Sequence, residues 1–274
     1  MIEINADRRG SGTPLVLLHG IGHRWQAWEP VLDLLAEHHD VIAIDMPGFG
    51  LSPAMPDTYA HDLPGSTAML RDVFAQLGIA RPHVAGNSLG GLLAIEAAAQ
   101  GLVASATALS PAGFWNPRDR ARAFRILRGI RAGALAPAAA RAALTGNSRL
   151  RAIGLSTLYA HPERIDRASA LGDMDALRAS TAFAPTLRAG RSVIWEGTQP
   201  TVPVTVAWGE RDRILPLRQA ARAAALLPGA QHVTLPGCGH VPMIDSPRLV
   251  AAAILATCAR AQVQETEEPQ RVAG

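Results

Sequence analysis

The chain has 274 residues, of which 48% are hydrophobic and 18% charged, and this composition favours a globular protein with a buried core over a disordered one. Its 25 glycines and 20 prolines follow no fixed period, which excludes a fibrous chain. All 26 basic residues are arginines, but 23 acidic residues are interspersed with them, and the formal net charge of +3 does not indicate a nucleic-acid partner.

The N-terminal sequence and the cysteine content predict the cellular compartment of the protein. Residues 1–10 lack the apolar stretch of a secretory signal. No apolar run approaches the roughly 18 residues that a membrane helix needs, so no membrane partner is expected. Two cysteines, Cys238 and Cys258, are too few for a disulfide framework and fit a reducing compartment. We therefore expect a cytoplasmic protein.

Taken in chain order, short apolar runs alternate with segments of helical spacing. Strands are expected at residues 14–19, 41–45, 83–87, 103–109, 202–208 and 231–235, and helices at residues 26–37, 64–77, 89–100, 216–227 and 247–259. Because strands and helices alternate, the sequence predicts an α/β fold with a mostly parallel sheet. 

The rhythm changes between residues 112 and 196, where arginine- and alanine-rich helical segments follow one another without a convincing strand. The simplest interpretation is a helical insertion into a core formed by residues 1–111 and 197–261. An independent helical domain with its own partner is the alternative, although both flanks return to sheet-forming sequence. Residues 262–274 are polar and are expected to form a disordered tail.

The sharpest motif is Gly-Asn-Ser-Leu-Gly at residues 86–90, which follows a predicted strand and opens a predicted helix. In this context a G-x-S-x-G motif places its serine, here Ser88, on a turn so tight that the flanking positions must lack bulk. The N-terminus of the following helix then offers free N–H groups to a developing negative charge. Ser88 is therefore the candidate nucleophile.

A serine hydroxyl needs a base to take its proton, and the base needs an orienting carboxylate. His240 lies in a glycine-rich loop after the last predicted strand and is the best of the nine histidines for the base. Asp212, after the strand at residues 202–208, is the candidate carboxylate, with Glu210 as the alternative. Asp245 is expected to cap the final helix instead.

An oxyanion would need N–H donors on the side opposite the base. One candidate is the backbone N–H of Leu89, the residue after the nucleophile. The other is the backbone N–H of Ile21, in the loop His19-Gly20-Ile21-Gly22 that follows the strand at residues 14–19.

These motifs together resemble those of the α/β-hydrolase fold superfamily, and the resemblance spans nearly the whole chain. Five elements occur in the family's order, namely the oxyanion loop at residues 19–22, the turn D-x-P-G-F-G-x-S at residues 45–52, the elbow at residues 86–90, the acid loop at residues 209–212 and Gly239-His240. The resemblance implies about eight strands, a helical cap inserted after strand six at residues 112–196, and a structural role for Asp45. The first edge strand, at residues 2–5, is expected to be short or absent.

The serine at the elbow separates this chain from the dehalogenases and epoxide hydrolases of the superfamily, which carry aspartate there. It points to the capped serine hydrolases, whose members include carboxylesterases, carbon–carbon bond hydrolases and perhydrolases. Some residues are candidates for the substrate pocket because they lie near the oxyanion loop, near the elbow or within the insertion. They are His23, Trp25, Asn87, Phe114, Trp115 and Phe183.

The expected reaction is hydrolysis of a carboxylic ester with a medium-chain or aromatic acyl group, through an acyl-enzyme. Carbon–carbon hydrolysis of ring-cleavage diketones, or lactonase, thioesterase or perhydrolase chemistry, are alternatives within enzymes. A ligand receptor with slow turnover is the alternative outside them. The sequence contains no metal-ligand cluster and no dinucleotide fingerprint, so no metal and no cofactor are expected, and the partner is a small acyl substrate.

Overall fold

The computed structural model describes residues 2–272, and within them seven strands form one sheet. The strands are β1 (Ala6–Arg9), β2 (Pro14–Leu18), β3 (Asp40–Ile44), β4 (His83–Asn87), β5 (Ser105–Leu109), β6 (Val204–Gly209) and β7 (Gln231–Leu235). Their order across the sheet is β1-β3-β2-β4-β5-β6-β7. Strand β1 is antiparallel to β3, and all other neighbours are parallel.

Helices connect the strands and cover both faces of the sheet. They are α1 (Glu29–Ala36), α2 (Leu63–Gln76), α3 (Leu89–Ala99), α4 (Pro117–Ala134), α5 (Ala138–Gly146), α6 (Ser148–Leu155), α7 (Arg167–Ala179), α8 (Phe183–Ala189), α9 (Ala220–Leu226), α10 (Pro242–Asp245) and α11 (Pro247–Val272). Three short 3₁₀ helices lie at Trp25–Trp28, Pro162–Arg164 and Leu217–Gln219. No helix in residues 2–272 is long and apolar enough to cross a bilayer.

Strand β2 shows how the core is divided between the two faces of the sheet. Successive side chains of a strand point to opposite faces. Leu15 and Leu17 accordingly pack in one cluster with α1 and α11, while Val16 and Leu18 pack in another with α2 and α3. All four leucine and valine side chains are fully buried, which explains why the strand is a continuous apolar run in the sequence.

The α/β-hydrolase fold predicted from the sequence is confirmed, with seven described strands where about eight were expected. Residues 2–5 form no strand, because their backbone groups bind elsewhere. The N–H and C=O of Ile2 bind the side-chain amide of Gln76 at 2.7 Å each, and the Asn5 N–H donates to Ser52 Oγ at 2.8 Å. The antiparallel strand is Ala6–Arg9 instead.

The segment between β5 and β6 is helical, and the C-terminal segment is helical as well. Helices α4 to α8 all lie between β5 and β6, where the sequence predicts a helical insertion. The segment 262–274 was expected to be disordered, but α11 continues to Val272. Its glutamines, glutamates and arginine are good helix formers, and they extend a helix that the core already nucleates. Residues 273 and 274 lie outside the described part of the chain.

Close backbone contacts at glycines fix how β4 and α3 sit against β2. A Cβ atom on Gly90 would lie 2.2 Å from the carbonyl oxygen of Leu18, and one on Gly86 would lie 2.0 Å from the carbonyl oxygen of Gly90. Real Cβ atoms do not approach so closely, so only glycine lets the strand-to-helix turn press against the neighbouring strand.

Replacing Gly90 by alanine tests this contact. The added methyl group collides with backbone that cannot yield, so we expect Gly90→Ala to destabilise the protein by about 1–3 kcal/mol. For a chain of this size that corresponds to a melting temperature lower by roughly 2–12 °C, measured by differential scanning calorimetry. Gly229→Ala is the control, because a Cβ there meets nothing within 4 Å. Equal melting temperatures for the two variants would contradict the steric argument.

Candidate active site

Ser88 occupies the turn between β4 and α3 in a strained conformation. Its φ is 56° and its ψ is −110°, a conformation that residues other than glycine rarely adopt. Surrounding hydrogen bonds hold it there, since its N–H donates to Leu109 O and its carbonyl oxygen accepts from the N–H groups of Leu92 and Ala112, all within 3.0 Å. The side chain is 8% exposed and lines a cavity. The turn thus presents a serine at the carboxyl edge of a central strand.

His240 and Asp212 are brought into direct contact by loops after β7 and β6. The distance from His240 Nδ1 to Asp212 Oδ2 is 2.7 Å, and both side chains are buried. The other oxygen, Asp212 Oδ1, accepts the N–H groups of Ile214 and Leu215 at 2.8 Å each. Because these bonds fix the carboxylate, it holds the imidazole in one orientation and leaves Nε2 free for other partners.

Glu210, the alternative carboxylate, is placed differently. Its Oε2 accepts the N–H of Gly237 at 2.8 Å at the exposed side of the loop. The structure therefore brings Asp212 to the histidine and engages Glu210 in loop structure.

Asn87 connects the turn that carries Ser88 (residues 86–90, the serine turn) to the loop between β7 and α10 that carries His240 (residues 236–241, the histidine loop). Its side-chain Nδ2 donates to His240 O at 2.8 Å and to Leu109 O at 3.1 Å. A second close contact lies at Gly209, where a Cβ atom would be 2.1 Å from the carbonyl oxygen of Gly239. Ser88 Oγ makes no hydrogen bond with a described residue; such bonds are often long before substrate binds and tighten in the complex.

The loop at residues 19–22 lies against the serine turn. A Cβ atom on Gly20 would be 3.3 Å from Ser88 Cβ, which gives the closeness of the two segments. Within the described residues the backbone N–H of Ile21 donates to no acceptor. Leu89 is the first residue of α3, so its N–H is beyond the reach of helical hydrogen bonding. Both N–H groups thus lie free beside the serine, on residues that line the same cavity.

His19 anchors this loop. Its Nε2 accepts the N–H of Met46 at 3.0 Å, which leaves the proton on Nδ1, and Nδ1 donates to Gly20 O at 2.7 Å. Burial lowers the pKa of His19 to about 4, so the ring stays neutral and keeps both bonds.

Asp45 binds loops rather than the histidine. Oδ1 accepts the N–H of Trp25 at 2.6 Å, and Oδ2 accepts Asn5 Nδ2 at 2.8 Å and the N–H of Leu51 at 2.9 Å. With both oxygens occupied in this way, the carboxylate ties the turn after β3 to the segment that follows the loop at residues 19–22.

A small apolar cavity of about 60 Å³ opens at the serine. Its lining includes Ser88, Leu89 and Ile21. Further lining residues come from α3, α4 and α8 and from the segments before α2, before α4 and after Asp212, among them His61, Asp62, Leu92, Leu93, Trp115, Phe124, Leu187 and Leu215. The described lining contains no arginine. This arrangement suits an uncharged apolar group next to the serine.

Three of the six candidate pocket residues line a cavity and three do not. Trp115 lines the small cavity, and His23 and Phe183 line a second, larger cavity among the inserted helices. Three expected pocket residues line neither cavity, namely Trp25, Asn87 and Phe114.

Each of these three side chains is engaged in packing or loop structure. Phe114 is buried with its ring centroid 5.9 Å from that of Trp195. Asn87 uses its amide between two backbone carbonyls, and Trp25 packs against the core cluster of α1. Proximity in sequence to a motif therefore does not place a side chain in the pocket.

Sequence reasoning missed the role of Asp245. Its carboxylate accepts the N–H groups of Gly239 at 2.7 Å, Ala160 at 3.0 Å and His161 at 2.7 Å, so the expectation that it caps the final helix is wrong. The N–H groups of His240 and of the residue after it both donate to Leu158 O. The insertion and the histidine loop are therefore joined by two direct hydrogen bonds and by Asp245, which accepts two N–H groups of the insertion and one of the loop. The sequence Asp-Ser-Pro before a helix resembled a cap and gave no signal of this tie.

Within residues 2–272, no group of three or more histidine, cysteine, aspartate or glutamate side chains is arranged to hold a metal ion.

A mostly parallel sheet that carries its serine on a tight strand-to-helix turn is the architecture of an α/β hydrolase. Residues 15–253 match the model of the alpha/beta hydrolase family, and the chain belongs to this family. An uncharacterized protein of Mycobacterium tuberculosis is 34% identical over 257 residues, covering 87% of this chain and 73% of the relative.

Solved structures support the same fold. An esterase from Thermogutta terrifontis superposes with a TM-score of 0.71 at 21% identity, over 95% of this chain and 94% of that chain. The enol-lactonase from Burkholderia xenovorans superposes with a TM-score of 0.74 at 19% identity, over 94% and 97% of the two chains. At these identities the neighbours show the fold and not the substrate.

Asp245→Asn tests the tie between insertion and histidine loop. An amide has one acceptor oxygen, so at least one of the three N–H donors faces an NH₂ group, and we expect a loss of about 1.5–3 kcal/mol of stability. The melting temperature is expected to fall by roughly 3–12 °C. Asp166→Asn is the matched control, because Asp166 caps α7 through the Ser169 N–H and asparagine caps equally well. If Asp245→Asn and Asp166→Asn both have the melting temperature of the wild type, the hydrogen bonds of Asp245 contribute nothing to stability.

Proposed function

We propose that the protein is a serine hydrolase that cleaves a carboxylic ester with an apolar, medium-chain or aromatic acyl group. The observation that carries the proposal is the convergence of three chain segments. The strained serine at the mouth of an apolar cavity is tied through Asn87 to the loop of a buried histidine that contacts Asp212 at 2.7 Å. Residues 112–196 form the helical cap in this proposal, and residues 1–111 and 197–261 form the core.

The reaction begins with attack on the ester carbonyl. His240 Nε2 takes the proton of Ser88 Oγ as the oxygen bonds to the carbonyl carbon, and Asp212 stabilises the imidazolium that forms. The negative oxygen of the tetrahedral intermediate accepts the N–H groups of Ile21 and Leu89, and the positive end of the α3 dipole adds to its stabilisation.

Collapse of the intermediate breaks the bond to the alcohol, and His240 gives its proton to the leaving oxygen. The acyl group is then bonded to Ser88. A water molecule, deprotonated by His240, attacks the acyl-enzyme in the same way, and Ser88 regains its proton as the carboxylic acid leaves.

The lining of the small cavity favours an ester over a ring-cleavage diketone. The diketone substrates of the carbon–carbon hydrolases carry a carboxylate, whose burial requires a cationic partner. The described lining of the small cavity holds no arginine. Its single histidine, His61, is next to the acidic Asp62, which also lines the cavity, and most of the other lining residues are apolar, with leucine the most frequent.

Hydrolysis of a series of p-nitrophenyl esters of increasing chain length tests the proposal. We expect turnover that is abolished in Ser88→Ala, and covalent labelling of the wild type by a fluorophosphonate that is absent in the variant. Because Ser88 has a left-handed backbone, Ser88→Gly provides a second inactive variant without side-chain strain. Absence of both labelling and turnover in the wild type would overturn the proposal.

The assignment of the carboxylate has its own test. Asp212→Asn is expected to lower kcat on the best ester by about 10⁴-fold, because an amide no longer stabilises the imidazolium or selects the reactive tautomer. Glu210→Gln is the matched control in the same loop and is expected to leave kcat unchanged. The reverse order of effects would assign the role to Glu210.

A further inference from the structure

A second cavity of about 380 Å³ lies within the inserted helices and adjoins the first. It is lined mainly by apolar residues of α4, α5, α6 and α7, and it shares Ile21 and Leu127 with the small cavity. Because Ile21 lines both cavities and supplies the proposed oxyanion N–H, the two cavities are neighbours beside the proposed site of reaction. One substrate can therefore extend from the serine into both.

Tyr159 brings a polar group to the wall of this larger cavity. The residue is 3% exposed, and its hydroxyl oxygen lies 3.2 Å from His23 Nε2. Both residues line the cavity. A buried hydroxyl in apolar surroundings needs partners for its hydrogen as well as for its oxygen.

The tautomer of His23 shows which partner is missing. The N–H of Arg24 donates to His23 Nδ1 at 3.0 Å, so Nδ1 is the acceptor nitrogen and the ring proton lies on Nε2. His23 Nε2–H therefore donates to the oxygen of Tyr159. The hydroxyl hydrogen of Tyr159 then has no acceptor among the described residues.

The hydroxyl keeps its hydrogen because burial, with smaller contributions from the charges of Asp173 and Asp245, raises the pKa of Tyr159 well above its ordinary value. Tyr159 thus remains a hydrogen-bond donor over the working range of a hydrolase.

The charged side chains of the cavity wall already have partners. Asp173 Oδ1 accepts Arg24 Nε at 2.8 Å, and Arg151 donates to the backbone carbonyls of Ile165 and Thr145. Asp173 is neutralised by Arg24, and Arg151 uses its Nε and Nη1 hydrogens on backbone carbonyls, so the wall offers no free charged group to a ligand. A neutral group that carries an acceptor oxygen fits both the lining and the free O–H.

A backbone contact connects the wall of the larger cavity to the loop of His240. The N–H of His240 donates to Leu158 O at 2.8 Å, and Leu158 and Tyr159 both line the cavity. The leaving group of an ester must reach the histidine that protonates it, so we assign the alcohol half of the substrate to the cavity whose wall contacts the backbone of His240.

We propose that the larger cavity binds a neutral, bulky alcohol portion of the ester, and that the Tyr159 hydroxyl donates a hydrogen bond to an acceptor oxygen, such as a ketone or ether, remote from the scissile bond. This inference rests on the proposed ester hydrolysis and defines its substrate class. Tyr159 acts here in binding and specificity and not in the chemical step.

Two esters that differ only at the remote position test the proposal. The first is 4-(3-oxobutyl)phenyl butyrate, and the second is 4-butylphenyl butyrate, in which a methylene replaces the ketone carbonyl and the phenol is of nearly equal reactivity. We expect Tyr159→Phe to lower kcat/KM for the keto ester about tenfold, through KM with kcat unchanged, and to leave the butyl ester unaffected.

Tyr59→Phe is the matched control, because it removes the same hydroxyl from a half-buried tyrosine whose hydroxyl pairs with Asp72 at the surface, away from both cavities. It is expected to change neither ester. An equal loss on both esters in Tyr159→Phe would show a structural role and overturn the proposal, as would an unchanged preference for the keto ester.

A binding measurement separates this inference from the proposed function. In a Ser88→Ala background, the two free phenols, 4-(4-hydroxyphenyl)butan-2-one and 4-butylphenol, are titrated by calorimetry. A contribution of the ketone to affinity that disappears in the Ser88→Ala, Tyr159→Phe double variant supports the subsite even if the wild type hydrolyses neither ester. If the ketone contributes equally with and without the hydroxyl, the subsite is wrong whatever the outcome of the esterase assay.

Discussion

Close approach of backbone segments at the carboxyl edge of the sheet is the constraint on which the candidate site depends. The serine turn presses against the end of β2 at Gly90, and the loop after β6 presses against the histidine loop at Gly209, each at distances that a Cβ atom would forbid. These contacts bring together segments that are far apart in the chain. The hydrogen bonds of Asn87 and Asp212 then fix the side chains that the backbone has brought into range. The position of the segments therefore depends on close backbone packing, and the orientation of the side chains depends on hydrogen bonds.

The inserted helices are part of the same construction and not a separate cover. Residues 158–161 make two direct hydrogen bonds to the histidine loop through Leu158 O and two more to the carboxylate of Asp245, which also accepts the N–H of Gly239 in that loop. A displacement of this segment would carry the backbone of His240 with it. The insertion thus shapes both the wall of the larger cavity and the position of the proposed base, so substitutions in residues 158–161 are coupled to the chemistry as well as to substrate choice.

The sequence predicted the parts of the molecule that local rules determine. Strands buried on both faces are continuous apolar runs, as in β2, and the turn at Ser88 requires small residues at fixed offsets, so both could be recognised. Pairing of Asp212 with His240 followed from the order of loops along a parallel sheet. Phe114 and Tyr159 could not be placed, because the direction of a side chain in the insertion depends on how helices pack, and apolar residues of pocket and core have the same pattern.

The strain at Ser88 links stability to the proposed chemistry. A non-glycine residue in this conformation costs about 1–3 kcal/mol, and it persists because the neighbouring groups leave it no alternative. Its N–H and C=O groups are engaged by Leu109, Leu92 and Ala112, and the adjacent strand ends in a second serine, Ser110, with a φ of 43°. Ser110 Oγ accepts the N–H of Gly209, the residue whose missing side chain admits the histidine loop. The two strained serines therefore belong to one arrangement, in which neighbouring strand ends are held so that Ser88 lines the small cavity and the loops after β6 and β7 lie against each other.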